Sequence, residues 1–139
     1  MKEEIQIRQV PLEMVWQLRK DVLYPERDLK GVKLSDDHLG EHWGAYVDDQ
    51  LISVISFFQA EGISRFRKFA TRVDCQGKGY GSRLLEHIMN AAAAAGNQMI
   101  WCNARMTALG LYERFGMRPV GEVWQENGFN YVKMEKQFR

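Results

Sequence analysis

Residues Gln76 to Ser82 read Gln-Gly-Lys-Gly-Tyr-Gly-Ser and lie between a β-rich run and a helical run. Glycine at alternate positions 77, 79 and 81 tolerates positive φ and lets the backbone come close to a ligand. A helix opens directly afterwards, so its first N–H groups face back into the loop. A strand–loop–helix junction of this kind calls for an α/β layout and forms an anion site suited to phosphate or pyrophosphate. The spacing fits neither common nucleotide template. A P-loop needs Gly-x-x-x-x-Gly-Lys-Ser/Thr, but Gly79 follows Lys78 here. The dinucleotide fingerprint is Gly-x-Gly-x-x-Gly, whereas this loop is Gly-x-Gly-x-Gly. A plain tight turn without a ligand is the other reading of such glycines.

The rest of the chain supplies elements at matching spacing. Ile5 to Val10 alternates like a short strand. Pro11 suits a first helical turn, and Leu12, Val15, Trp16, Leu18 and Val22 follow at helical spacing until Tyr24-Pro25. Glu26 to Asp37 reads as a polar loop with a short helical turn. His42 to Val47 and Leu51 to Gln59 read as a hairpin turned at Asp48-Asp49-Gln50. Phe66 to Val73 is a third strand, with Phe66, Lys68 and Ala70 expected on one face and Arg67, Phe69 and Thr71 on the other. From Ser82 a helix carries Leu84, Leu85, Ile88, Met89 and Ala92 on one stripe and stops at Gly96-Asn97. Met99 to Asn103 is a short strand, and Thr107 to Phe115 a second amphipathic helix. Val120 to Trp124 and Phe129 to Met134 form a terminal hairpin around Glu126-Asn127-Gly128, with Asn-Gly as the turn signal. The order is β-α-β-β-β-α-β-α-β-β, a mixed α/β sheet flanked by helices. Residues 1–139 read as one domain.

Bulk properties narrow the function. A formal charge of +1 offers no nucleic-acid footprint. Arg65, Arg67 and Lys68 cluster locally, and a solvated strand face is the favoured reading over a binding patch. The N-terminus lacks an apolar signal core, and no window is apolar enough for a membrane span. The two cysteines, Cys75 and Cys102, have no zinc-like spacing. A soluble cytoplasmic protein with free thiols is the expectation. His38-Leu39-Gly40-Glu41-His42 matches the inverted zinc-peptidase pattern His-x-x-Glu-His, but Gly40 interrupts it and no third ligand stands out downstream. No metal is expected, and satisfied or exposed histidines are the simpler reading.

Two spaced motifs then agree. Gln-x-x-Gly-x-Gly (Gln76, Gly79, Gly81) follows a strand carrying Lys-Phe-Ala-Thr (Lys68 to Thr71). After a helix and a strand comes Ala-Leu-Gly-Leu-Tyr-Glu-Arg-Phe-Gly-Met (Ala108 to Met117). At these residues the chain resembles the GNAT superfamily of acyl-CoA-dependent N-acyltransferases. The resemblance covers nearly the whole chain in element order and is most specific from Phe66 to Met117. It implies a sheet splayed between the fourth and fifth strands, with acetyl-CoA (coenzyme A) as co-substrate.

The resemblance also implies roles. Gln76 matches the first motif residue, and the N–H groups of Gly77, Lys78, Gly79, Tyr80, Gly81 and Ser82 would line the pyrophosphate. Backbone near Thr71 and Val73 would pair with the pantetheine arm as an added strand does. Asn103 would sit where the strands splay. Tyr112 would protonate the departing thiolate, though an aromatic at this helical spacing is ordinarily core. Backbone N–H near Thr71 would stabilise the oxyanion. Arg105 stands where many members have Asn, and could serve the coenzyme phosphates instead. Cys75 reads as packing and not as a nucleophile.

The implied activity is N-acetyl transfer to a primary amine of a small-molecule or peptide acceptor by direct attack. A GNAT-fold module that binds acyl-CoA without transferring the acyl group is the alternative. Glu61, Glu26 and His42 are candidate bases beside a water chain. Acceptor choice falls to Leu12 to Asp37 and Val120 to Phe129. The terminal strands are a candidate homodimer surface.

Overall fold

Three of the sheet's connections turn on pairs of positive-φ residues. These are Asp48 and Asp49 (φ 51° and 62°), Glu61 and Gly62 (53° and 80°), and Asn127 and Gly128 (51° and 80°). Two consecutive left-handed residues match the right-handed twist of the flanking strands, so each turn closes a tight antiparallel hairpin. The Asp-Asp turn achieves this without glycine because aspartate tolerates the left-handed region.

The computed structural model describes residues 4–138. The order is β1 (Ile5–Gln9), α1 (Leu12–Leu23), β2 (Glu41–Val47), β3 (Gln50–Ala60), β4 (Ile63–Thr71), α2 (Tyr80–Ala94), β5 (Met99–Arg105), α3 (Leu109–Arg114), β6 (Arg118–Glu126) and β7 (Phe129–Gln137). This is the expected α/β order, with single 3-10 turns at Lys30–Val32 and Asp37–Leu39 inside the polar loop. The seven strands form one sheet in the order β1-β2-β3-β4-β5-β7-β6. All neighbours are antiparallel except β4 and β5.

The parallel pair decides the architecture. Strands β4 and β5 are in register only at Ile63–Met99, Ser64–Ile100 and Arg65–Trp101. Beyond Arg65 the two strands part, while β4 continues to Thr71 and β5 to Arg105. The sheet is therefore splayed between its fourth and fifth strands, and the β5-facing edge of β4 is unpaired over that length.

The helices cover opposite faces. Helix α1 buries Val15 and Leu18 with Tyr46, Val54 and Ala70. Helix α2 buries Leu84, Leu85, Ile88, Met89 and Ala92 with Ile55, Phe57, Phe66 and Ile100. Fully burying such a side chain stabilises by about 1.5–3 kcal/mol, so this stripe is the main anchor of α2.

Alternation along β4 breaks at a bulge. Val54 pairs with Ala70 and Ser56 with Arg67, so Lys68 and Phe69 together face Ile55. Lys68 takes φ 53° to accommodate the extra residue. This corrects the expectation that Phe66, Lys68 and Ala70 share a face. Phe66 packs in the α2 cluster and Ala70 in the α1 cluster, and Phe69 now sides with Phe66. A uniform period of 2 cannot reveal one inserted residue.

The loop after α1 is tied down by a buried polar network. Arg19, fully buried, donates to Asp37 through both terminal nitrogens (2.9 and 2.8 Å), to Val32 O (3.1 Å) and to Ser56 Oγ (2.8 Å). Trp16 Nε1 and the Leu34 N–H also donate to Asp37, each at 2.9 Å. His42 completes the network, with Nδ1 against Ser56 Oγ at 2.7 Å and Nε2 against Asp37 O at 2.8 Å.

Candidate active site

The glycine loop divides its labour among its glycines. Gly77 (φ 76°) and Gly79 (φ 85°) hold left-handed backbone, and a Cβ on either would meet nothing within 4 Å. They serve conformation. Gly81 serves packing, because a Cβ there would lie 2.9 Å from Thr71 Oγ1 and 3.0 Å from Phe69 Cζ. Helix α2 starts at Tyr80, two residues before the expected Ser82, so the third glycine lies inside the first turn, against the end of β4.

That helix end is left open to a ligand. Gly79 is its N-cap, no side chain caps it, and no acidic residue occupies the first turn. The first intrahelical bond runs from Arg83 N–H to Gly79 O at 3.2 Å, so the N–H groups of Gly81 and Ser82 precede it. Unpaired N–H groups and the positive end of the helix dipole favour a phosphate there.

Gln76 ties the loop to the strand. Its Nε2 donates to Thr71 O at 2.9 Å. Arg72 N–H donates across to Ile52 O at 2.8 Å. By strand alternation the preceding N–H, of Thr71, points away from β3 toward the splay.

A cleft of about 860 Å³ runs through the splay. It is bordered by Thr71, Gln76, Gly77, Gly79, Tyr80, Gly81, Ser82, Asn103 and Tyr112. Nine of the eleven residues named from the sequence are thus brought together. Val73 and Lys78 are not in the lining, and Val73 is largely exposed. Both are exposed, Val73 in the 3-10 turn Val73–Cys75 and Lys78 between the left-handed glycines 77 and 79.

Tyr112 is buried beside the rings of Phe66 and Phe69, at centroid distances of 5.5 and 6.4 Å. The β4 bulge is what puts both phenylalanines on its side. Burial pushes the Tyr112 phenol well above its ordinary range, with nearby Cys102 adding to this and Arg105 opposing it. The hydroxyl has no hydrogen-bond partner among the described residues. Cys102 borders the cleft with its thiol pushed up to about 12 by burial, so it stays protonated and inert. Cys75 is also raised, by burial and then Asp74, which agrees with packing over nucleophilic use.

None of the three candidate bases borders the cleft. His42 spends both ring nitrogens inside the buried network, Glu61 sits in the β3–β4 turn, and Glu26 lies outside the lining. Glu126, at the end of β6, is the lone carboxylate in the lining. In the sequence it is only part of the turn Glu126-Asn127-Gly128, and only the fold carries that hairpin to the cleft. The basic cluster also departs from the expected solvated face. Arg65, Arg67 and Lys68 all border the cleft, and Arg65 Nε is buried, which a solvated face would not give.

His38, Glu41 and His42 do not converge. No group of three or more His, Cys, Asp or Glu side chains placed to hold a metal ion occurs among the described residues. Among those residues, too, no helix is long and apolar enough to cross a membrane.

A forked mixed sheet, an uncapped helix behind a glycine loop and a buried tyrosine at the fork define the acyl-transferase class of α/β fold. The acetyltransferase (GNAT) domain family matches residues 30–138, and the chain belongs to that family. It is 28% identical over 145 residues to the uncharacterized N-acetyltransferase YitI of Bacillus subtilis (strain 168), covering 97% of each chain. A crystal structure of an N-acetyltransferase candidate from Lactobacillus plantarum superposes with a TM-score of 0.84 at 26% identity, over 97% of this chain and 99% of that one. A GNAT family acetyltransferase from Elizabethkingia anophelis, solved with acetyl-CoA bound, has the same fold (TM-score 0.74, 18% identity, 99% and 100% coverage).

The packing of Gly81 yields a direct test. Gly81→Val is expected to wedge α2 off the end of β4, at an overpacking cost of about 1–3 kcal/mol. It should also weaken acetyl-CoA binding, since the loop and Thr71 would no longer meet. Calorimetric titration beside a thermal melt reads both; affinity equal to the unaltered protein would remove Gly81 from the site.

Proposed function

We propose that this chain moves an acetyl group from acetyl-CoA to the amine of an acceptor, by direct attack on the thioester, within one domain. The observation that carries this reading is the β4–β5 fork, which opens into a cleft lined by both the glycine loop and Tyr112. The residues present fit the coenzyme: the α2 terminus has no cap of its own, and the loop at Gly77 and Gly79 carries no side chain and meets nothing within 4 Å where a Cβ would stand.

In this reading the N–H groups of the loop, Gly81 and Ser82 among them, hold the pyrophosphate. The unpaired edge of β4 takes the pantetheine arm as an added strand. The coenzyme supplies the activated acetyl group as a thioester. Thr71 N–H faces the fork and donates to the carbonyl oxygen as negative charge builds on it. Tyr112 donates toward the sulfur as the thioester bond breaks. Its phenol lies above the ordinary range of about 10 while a thiol ionises near 8.5, so it acts by a hydrogen bond that strengthens as thiolate charge develops. Holding both reactants in the cleft supplies proximity. The acceptor ammonium loses its proton to water or to Glu126 before attack.

Acetyl-CoA is expected to bind with a micromolar Kd in a calorimetric titration, and amines from a mixed panel should release free thiol. No heat at high micromolar coenzyme would sink this reading. Binding without thiol release from any amine would leave a coenzyme-binding module.

A further inference from the structure

The cleft is far more basic than the chain. Arg27, Arg65, Arg67, Lys68, Arg105 and Arg114 line it against Glu126 alone, while the whole sequence holds 19 basic and 18 acidic residues. Coenzyme phosphates explain only cations within reach of the glycine loop. Arg65 is not one of them. It lies six residues before Thr71, about 17–20 Å along β4, beyond the reach of an arginine side chain.

Arg65 sits at the vertex of the fork, in the last paired position of β4 and β5. It shares the α1 side of the sheet with Arg67, since Phe66 between them faces α2. Its guanidinium lies over the Trp101 ring at 4.1 Å, and Lys133 Nζ approaches the same ring at 4.8 Å. The Arg65 Nε is buried without a hydrogen-bond partner. Asp36 pairs with Arg67 at 3.3 Å and Glu135 with Lys133 at 3.2 Å, but no carboxylate pairs with Arg65 among the described residues. A half-buried guanidinium beside a second arginine, with an unsatisfied donor, is an arrangement that costs stability until an anion arrives.

We propose that the acceptor is an amine that also carries an anionic group, and that Arg65, with Arg67 beside it, holds that anion at the closed end of the fork. The anion fixes one end of the acceptor and leaves its amine toward the bulge and Tyr112. Glu126, across the cleft, suits the ammonium end. This inference rests on the acetyltransferase reading for its substrate, but the anion site itself does not need catalysis.

The experiment has two arms. The first compares kcat/KM for aminocarboxylates and for the matching aminoamides. A charged hydrogen bond predicts a preference of roughly 10- to 100-fold for the carboxylate. Arg65→Gln should erase that preference through KM, Arg65→Lys should keep part of it, and acetyl-CoA affinity should be unchanged in both. Equal or better use of uncharged amines, or a preference that survives Arg65→Gln, overturns the proposal. The second arm titrates malonate into coenzyme-saturated unaltered protein and follows the arginine Nε–H resonance that Arg65→Gln deletes. A saturable shift is expected, and no shift at millimolar malonate overturns the site. If the coenzyme binds but no amine of either series is acetylated, the transferase reading fails while the malonate arm still decides the anion site.

Discussion

Tyr112→Phe is expected to lower kcat about 100-fold, the usual scale for losing one donor aimed at developing charge, or about 2.7 kcal/mol of barrier. The reason is the setting of the hydroxyl. It stands at the fork without a hydrogen-bond partner among the described residues, in a pocket walled by Phe66 and Phe69. A donor in such surroundings acts on thiolate charge with little screening. Phenylalanine preserves the packing, so acetyl-CoA affinity by calorimetry should hold within about twofold while kcat falls. Because burial raises the phenol, Tyr112 stays protonated across neutral pH and contributes no basic limb to the rate profile below about pH 10. An unchanged kcat would take Tyr112 out of its role.

Asp37→Ala is expected to cost about 3–5 kcal/mol of stability, because it strands the fully buried Arg19 charge. The loss should reach the active site as well. The same network fixes the segment after α1, which brings Tyr24 and Arg27 to the cleft wall. Urea unfolding of the variant reads the first effect; a midpoint within error of the unaltered protein would show the pair to be dispensable. The unaltered protein should show the same group in its acid limb. Burial alone would raise the Asp37 carboxyl, but donation from Arg19, the Leu34 N–H and Trp16, with the Arg19 charge, brings it down to about 2 from 3.8. A folded pKa below the unfolded one gives stability that is complete above about pH 4 and lost as pH falls toward 2, on the order of 2 kcal/mol. The stability gap between the two proteins should therefore narrow by about 2 kcal/mol as pH falls from 4 through 2.

The glycine loop and its strand–helix setting were legible in the residues themselves. The glycines at 77, 79 and 81 announce backbone freedom at a strand–helix junction, and Tyr112 follows at a spacing set by one helix and one strand. The order of elements was readable because apolar stripes at Leu84, Leu85, Ile88 and Ala92 have a period that only a helix satisfies. The β4 bulge was not readable, since one extra residue leaves composition and local propensity intact and alters only which face follows. The basic wall of the cleft was not readable for a related reason. Arg65, Arg67 and Lys68 look like any solvated strand face until β5 departs from β4 and leaves them beside a cleft. Glu61, Glu26 and His42 lie off the cleft because residue type alone does not place a side chain, and His42 is a bonded member of a buried network.

The sequence by itself thus determined the backbone chemistry of the glycine loop, because conformations that need glycine and a helix that needs no cap are local properties. Only the tertiary structure decided what faces that loop. The parting of β4 from β5 after Arg65, the bulge at Lys68 and the return of Glu126 over the cleft bring together residues tens of positions apart. Such neighbours are set by strand pairing, which no local pattern encodes.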